Sequence, residues 1–144
     1  VAKTDIPNAL DMQAYKYGDQ PPAKRDALAE RLRAAGRRSE AILLFDGRPE
    51  HPFLQEEIQW AASEGIAFHL MSLRGIGAEI SDEILRNCAA VARERGRWMD
   101  ARTCYVALED RQGLLEIAEH LPASLRIEGA GAQDAGLAEA TSGS

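Results

Sequence analysis

Little in this sequence offers a reagent. The 144 residues include two cysteines and three histidines. Cys88 and Cys104 lack the CxxC or Cys/His spacing of a zinc site or redox motif, and His51, His69 and His120 stand too far apart for a metal set such as HExxH. No metal or cofactor is therefore expected. The cysteines read as buried thiols, acting as small apolar residues, and His69, set in an apolar stretch, reads as a packing histidine. Carboxylates are plentiful, but no spacing places a pair in a cleft, which leaves glycosidase-type chemistry without a foothold.

Other absences narrow the field further. No GxxxxGK[ST] phosphate loop occurs. Gly75 and Gly77 precede a helix start near Ser81, but Asp82 and Glu83 already occupy the positive end of that dipole, so anion binding is not expected there. No apolar run approaches the roughly 20 residues that span a bilayer, and no signal peptide is visible, so a cytoplasmic protein with no membrane partner is expected. Val1 in place of methionine points to a natural start further upstream. A formal charge of −6 disfavours phosphate backbones, and nucleic acid is not an expected partner even though LRAAGRRSEAIL can be drawn as a helix-turn-helix. Aromatics are 6% of a chain that is 45% hydrophobic, so the core is built from Ala, Leu and Ile, which suits close packing of helices.

What is present is helical periodicity. Ile84, Leu85, Cys88, Ala89 and Ala92 fall on one face of a helix that Ser81 caps, Asp82 and Glu83 favour at its start, and Gly96 ends. A second helix carries Trp98, Ala101, Tyr105 and Leu108. A third, capped by Asp110, carries Leu114, Ile117, Ala118 and Leu121 before Pro122. Upstream, Pro21 and Pro22 open a helix to about Ala35 with Leu28, Leu32 and Ala35 inward, and Gly36 ends it. Ser39 caps the next, through Ala41, Ile42 and Phe45. Arg31, Arg33, Arg37 and Arg38 form the densest basic group and read as a solvated face that complements the dipole.

Two segments read either way. AILLF at 41–45 and the 66–71 part of GIAFHLMSL suit buried strands as well as helix. If both are strands, the chain is a small α/β domain with a ligand or catalytic site near Asp46 and Ser72. The helical reading is preferred, because Leu54, Ile58, Ala61, Ala62, Ile66, His69 and Leu73 share one face of a single helix from Phe53 to about Arg74. The expected organisation is an irregular arm at 1–20, a helical domain at 21–122, and a Gly-, Ala- and Ser-rich tail at 123–144 in which Leu125 and Ile127 are docking residues.

Ala89, Gly96, Ala101 and Tyr105, and at the same offsets Ala29, Gly36, Ala41 and Phe45, resemble the tetratricopeptide helical hairpin, with small residues at the contact, a glycine turn and an aromatic filler. Gly36 and Gly96 stand 60 positions apart, against about 68 for two repeats of about 34 residues, and the stretch from Trp60 to Leu73 lacks the pattern. YVALEDRQGLLEIAEHLP is also similar to the looser hairpins of clathrin-like and coatomer-like solenoids. The resemblance implies an all-α fold, with antiparallel hairpins stacked as an irregular α-solenoid. It also implies a non-catalytic adaptor or scaffold that binds another protein or peptide, or a regulatory subunit of a larger assembly. Glu30, Arg33, Glu83, Arg86, Asn87, Ala90 and Arg93 would then face the partner groove. Uncovered terminal hairpins would allow homo-oligomers.

Overall fold

The computed structural model describes residues 21–127; the arm at 1–20 and the tail from 128 lie outside the described residues. Within that span the chain is all-α, with no strand among the described residues. The helices are α1 (Pro22–Ala34), α2 (Arg38–Leu43), α3 (Pro52–Glu64), α4 (Ala67–Gly75), α5 (Asp82–Glu94), α6 (Trp98–Leu108) and α7 (Arg111–Ile117), followed by short 3-10 turns at Ala118–His120 and Ala123–Leu125. The α/β alternative, with its site at Asp46 and Ser72, is thereby excluded. Residues 41–45 are the end of α2 and the turn after it, and 67–71 lie in α4.

The caps fall where the side chains dictate. Ser81 Oγ accepts from Ile84 N–H at 3.2 Å to open α5, and Asp110 Oδ1 accepts from Gly113 N–H at 2.9 Å to open α7. Ser39, by contrast, is not a cap. The chain re-enters helix directly after the Gly36 corner, so α2 starts at Arg38 with Arg37 as its boundary residue, and Ser39 already lies inside.

The expected single helix from Phe53 to Arg74 is two helices, because Gly65 takes a left-handed φ of +72° and turns the chain. The same closure recurs down the chain. Arg37 N–H bonds Leu32 O (2.8 Å), Ile66 N–H bonds Ala61 O (2.9 Å), and Arg97 N–H bonds Ala92 O (2.7 Å). In each, the residue after a left-handed glycine donates back five positions, the Schellman arrangement that satisfies a carbonyl left over at a helix end. Ala78 to Leu73 around Gly77 and Asp110 to Tyr105 around Glu109 repeat it, with Glu109 adopting φ +54° although it carries a side chain. The corner glycines 36, 65 and 96 thus mark three helix–corner–helix hairpins among the described residues, with corners spaced 29 and 31 residues apart. At the offsets of Ala29, Ala41 and Phe45 the second hairpin carries Ile58, Leu70 and Arg74, so it departs from the pattern of its neighbours but keeps their glycine.

The described residues form two compact units, one comprising residues up to Ile58 with Met71–Glu79 and the other Gln59–Leu70 with the chain from Ile80. In the first, α1 packs on α2 and encloses Leu28, Leu32, Ile42, Leu44 and Phe45, with the Phe45 ring stacked on Phe53 at 4.7 Å. In the second, α5 packs on α6 and α6 on α7, around Leu85, Cys88, Ala92, Ala101, Cys104 and Ile117. Residues eight positions either side of each corner are inward: Leu28 and Leu44, Glu57 and Leu73, Cys88 and Cys104 are all fully buried.

In the second unit the corner of one hairpin lies directly against the next hairpin. A Cβ on Gly65 would lie 2.9 Å from Ala92 N and 3.1 Å from its Cα, so the corner rests directly on the α5 backbone. Arg97 Nε donates to Gly65 O (3.2 Å), Ala67 N–H donates to Asp100 Oδ1 (2.9 Å), and Arg95 Nη1 reaches Glu64 Oε1 (2.9 Å). Gly65→Ala should therefore cost about 3 kcal/mol, combining left-handed strain with overpacking. Gly36→Ala meets nothing within 4 Å and should cost about 1 kcal/mol. Urea denaturation of the two variants measures the difference; equal losses would mean that the joint tolerates a methyl group.

Candidate functional site

The second unit carries an open cleft of about 650 Å³ lined by Arg86, Ala90, Arg93, Glu94, Trp98, Tyr105 and Asp110. Its long wall is one face of α5, where Arg86, Ala90 and Glu94 recur every fourth residue and so stack along the helix. The facing wall is built from Trp98 and Tyr105 on α6. Arg93 is held in place from two sides, since its Nη1 donates to Tyr105 Oη (3.0 Å) and to Glu116 Oε1 (2.8 Å). These hydrogen bonds, Tyr105 first and then Glu116, raise the Arg93 pKa further, so its charge is permanent.

Tyr105 reaches that position because α7 has no side chain in its way. A Cβ at Gly113 would lie 2.5 Å from the Tyr105 ring, so glycine at this helical position lets the ring lie against the α7 backbone. Trp98 is half-buried, with the His120 imidazole stacked on its indole at a centroid distance of 3.8 Å and 5° between planes. Arg86 and Glu94 make no hydrogen bond or ion pair among the described residues and are exposed.

Of the residues expected to face a partner, Arg86, Ala90 and Arg93 meet in this cleft. Glu83 and Asn87 lie exposed on the same helix without lining it. Glu30 and Arg33 belong to the first unit. There Arg33 is half-buried and tied to the core: its guanidinium lies 3.7 Å over the Phe53 ring, its Nη1 donates to Glu56 at 2.8 Å, and its Nε approaches the fully buried Glu57 at 3.0 Å. Arg38 closes on the same Glu57 carboxylate, and Arg37 pairs with Glu40 at 2.5 and 2.8 Å. The basic group expected to be a solvated face is thus largely a set of ion pairs, three of its members being consumed by Glu40, Glu56 and Glu57. Asp26, Arg48 and His51 form a further cluster in that unit, with Asp26 Oδ1 to Arg48 at 2.8 Å and Oδ2 to His51 Nε2 at 3.2 Å, while His51 Nδ1 accepts from Phe53 N–H.

The remaining candidates are packed. His69 is buried, edge-on to Trp60 at 5.5 Å between centroids. Cys88 and Cys104 are free and buried. Among the described residues no group of three His, Cys, Asp or Glu could hold a metal, and no helix is long and apolar enough to cross a membrane.

No family model, curated protein or solved structure matches the chain.

The resemblance to tetratricopeptide hairpins pointed to Arg86, Ala90 and Arg93 on α5 but not to Tyr105 and Asp110 in the lining of the cleft, nor to Gly113, whose missing side chain admits the Tyr105 ring. Gly113 inside an otherwise good helical stretch was the available signal, because glycine there is unfavourable unless something needs the space.

The electrostatics of both units give two expectations. Glu57→Ala leaves Arg33 and Arg38 facing each other without their shared carboxylate and should destabilise the protein by about 3 kcal/mol, read as a lowered denaturation midpoint; a loss no larger than that of an exposed Glu→Ala would contradict the assignment. Glu40, through Arg37, and Glu116, through Arg93 and then Gln112, are held below the ordinary carboxylate range. A depressed folded-state value contributes stability above the unfolded pKa that disappears as pH falls through the folded one. Stability should therefore decline below about pH 4, and the Glu40→Gln, Glu116→Gln double variant should flatten that slope in denaturant titrations at low salt.

Proposed function

We propose that the chain is a non-catalytic interaction module, an irregular tetratricopeptide-like stack of helical hairpins that holds an extended segment of another protein in the cleft between α5 and α6. The observation that carries this reading is the pair Arg86 and Glu94, opposite charges left without ionic partners on one helix face, with the flat surface of Ala90 between them. Eight residues of helix separate them by about 12 Å along the axis. An extended chain advances roughly 3.3 Å per residue and covers that span in about four residues.

The complementary segment carries an acidic side chain for Arg86 and a basic one for Glu94, three or four positions apart. A small apolar residue between them rests on Ala90 and the indole of Trp98. Arg93, already fixed by Tyr105 and Glu116, offers guanidinium donors without losing side-chain freedom on binding, which favours affinity. Exposed charges at this rim set partner choice and association rate more than they add raw affinity.

Charge reversal tests it. Partners captured from the source cell by the intact chain should be lost with Arg86→Glu and weakened about tenfold with Trp98→Ala, while Glu30→Ala retains them. A synthetic peptide with acid and base four apart should bind, and its charge-swapped sequence should not. Binding that survives Arg86→Glu unchanged would move the contact surface elsewhere.

A further inference from the structure

Cys88 and Cys104 lie eight residues before and eight residues after the corner glycine Gly96. In an antiparallel hairpin such positions stand at the same height on opposite helices. The first hairpin fills its corresponding positions with Leu28 and Leu44, both fully buried, so an apolar pair satisfies packing at this place and two thiols are not required by it. Around the cysteines the interface is made of Ala89, Ala92 and Ala101, all buried, and small residues let the α5 and α6 backbones approach closely, as a disulfide requires.

We propose that Cys88 and Cys104 are an oxidisable pair that closes to an intramolecular disulfide between α5 and α6 when the protein meets a peroxide. The packing of α5 on α6 buries both thiols at the one interface. The Cys104 thiol, as donor, holds Cys88 below the ordinary thiol range against the opposing effects of burial and the Asp100 charge, while the same pairing together with burial pushes Cys104 up. Cys88 is accordingly the attacking sulfur. Its thiolate displaces hydroxide from the peroxide O–O bond and becomes a sulfenic acid. The Cys104 sulfur then attacks the Cys88 sulfur and releases that oxygen as water, so that two thiols and one peroxide yield one disulfide and two waters. A small oxidant can enter during local opening of the hairpin, where a bulky disulfide reagent cannot.

The bond would join the two helices that form the walls of the cleft. It fixes their separation whether or not that cleft holds a peptide, so the chemistry stands independently of the binding reading. Hydrogen peroxide added to the purified chain, followed by acid quench, trypsin digestion and mass spectrometry, tests it. The expected product links the peptide Asn87–Arg93 to Thr103–Arg111, reverts with dithiothreitol, and accompanies a monomer whose melting temperature rises by about 10 °C, as a closed loop of about 15 residues predicts. In Cys104→Ala, Cys88 should stop at a sulfenic acid that dimedone traps. Linkage between chains, independent oxidation of each cysteine to sulfinic acid, or two thiols that persist would each overturn the proposal.

Discussion

The left-handed residue at each helix corner is the constraint on which the rest depends. A helix ends with carbonyls that have no partner, and in a chain of short helices those ends recur every dozen residues. Gly36, Gly65 and Gly96 resolve this by taking a conformation that an L side chain resists, so that the following N–H turns back onto the helix just finished. The turn then fixes which positions on the two arms of a hairpin look at each other. From that register follow the buried Leu28 and Leu44, the placement of Glu57 in the core and of the two thiols, and the pairing of α5 with α6 as the walls of one cleft.

The two units use that register with different chemistry. In the first, Glu57 enters an inward position and needs two guanidiniums, which arrive from α1 and α2, so the arginine-rich helix end is tied to the interior. Buried ion pairs of this type add little net stability over an apolar replacement, but losing one partner is costly, and they specify geometry. In the second unit Cys88, Ala89, Ala92, Ala101 and Cys104 make the contact between α5 and α6 small and apolar, and Arg86 and Glu94 are left exposed.

Much of this was legible in the sequence, and the limits have physical causes. Ser81, Asp110, Gly36 and Gly96 announce themselves because capping and left-handed turns make local demands on residue type. Gly65 was hidden. Apolar residues continue at helical spacing on both sides of it, since α3 and α4 both bury a face, and periodicity does not register a turn that leaves the pattern in phase. Taking Gly65 for an interior residue also hid the spacing of about 30 residues and left the gap between Gly36 and Gly96 short of two repeats of about 34. The arginine cluster was visible as density, but Glu57 is about twenty positions away, and no local rule connects them. In the cleft, the α5 face followed from the resemblance to tetratricopeptide hairpins. The opposite wall depends on Gly113 admitting the Tyr105 ring, a question of space that only packing decides.

The contact of Gly65 with the main chain at Ala92 has a mechanical consequence. Most junctions between helices are cushioned by side chains that can hop between rotamers, and such layers creep when loaded. Here peptide backbone meets peptide backbone, with Arg97 and Asp100 latched across the seam. Val91 Cγ1 is the one side-chain atom among the three nearest to that point. A push delivered to α5 is handed to the preceding corner as rigid displacement, which makes this joint a lever and leaves bending to be absorbed elsewhere.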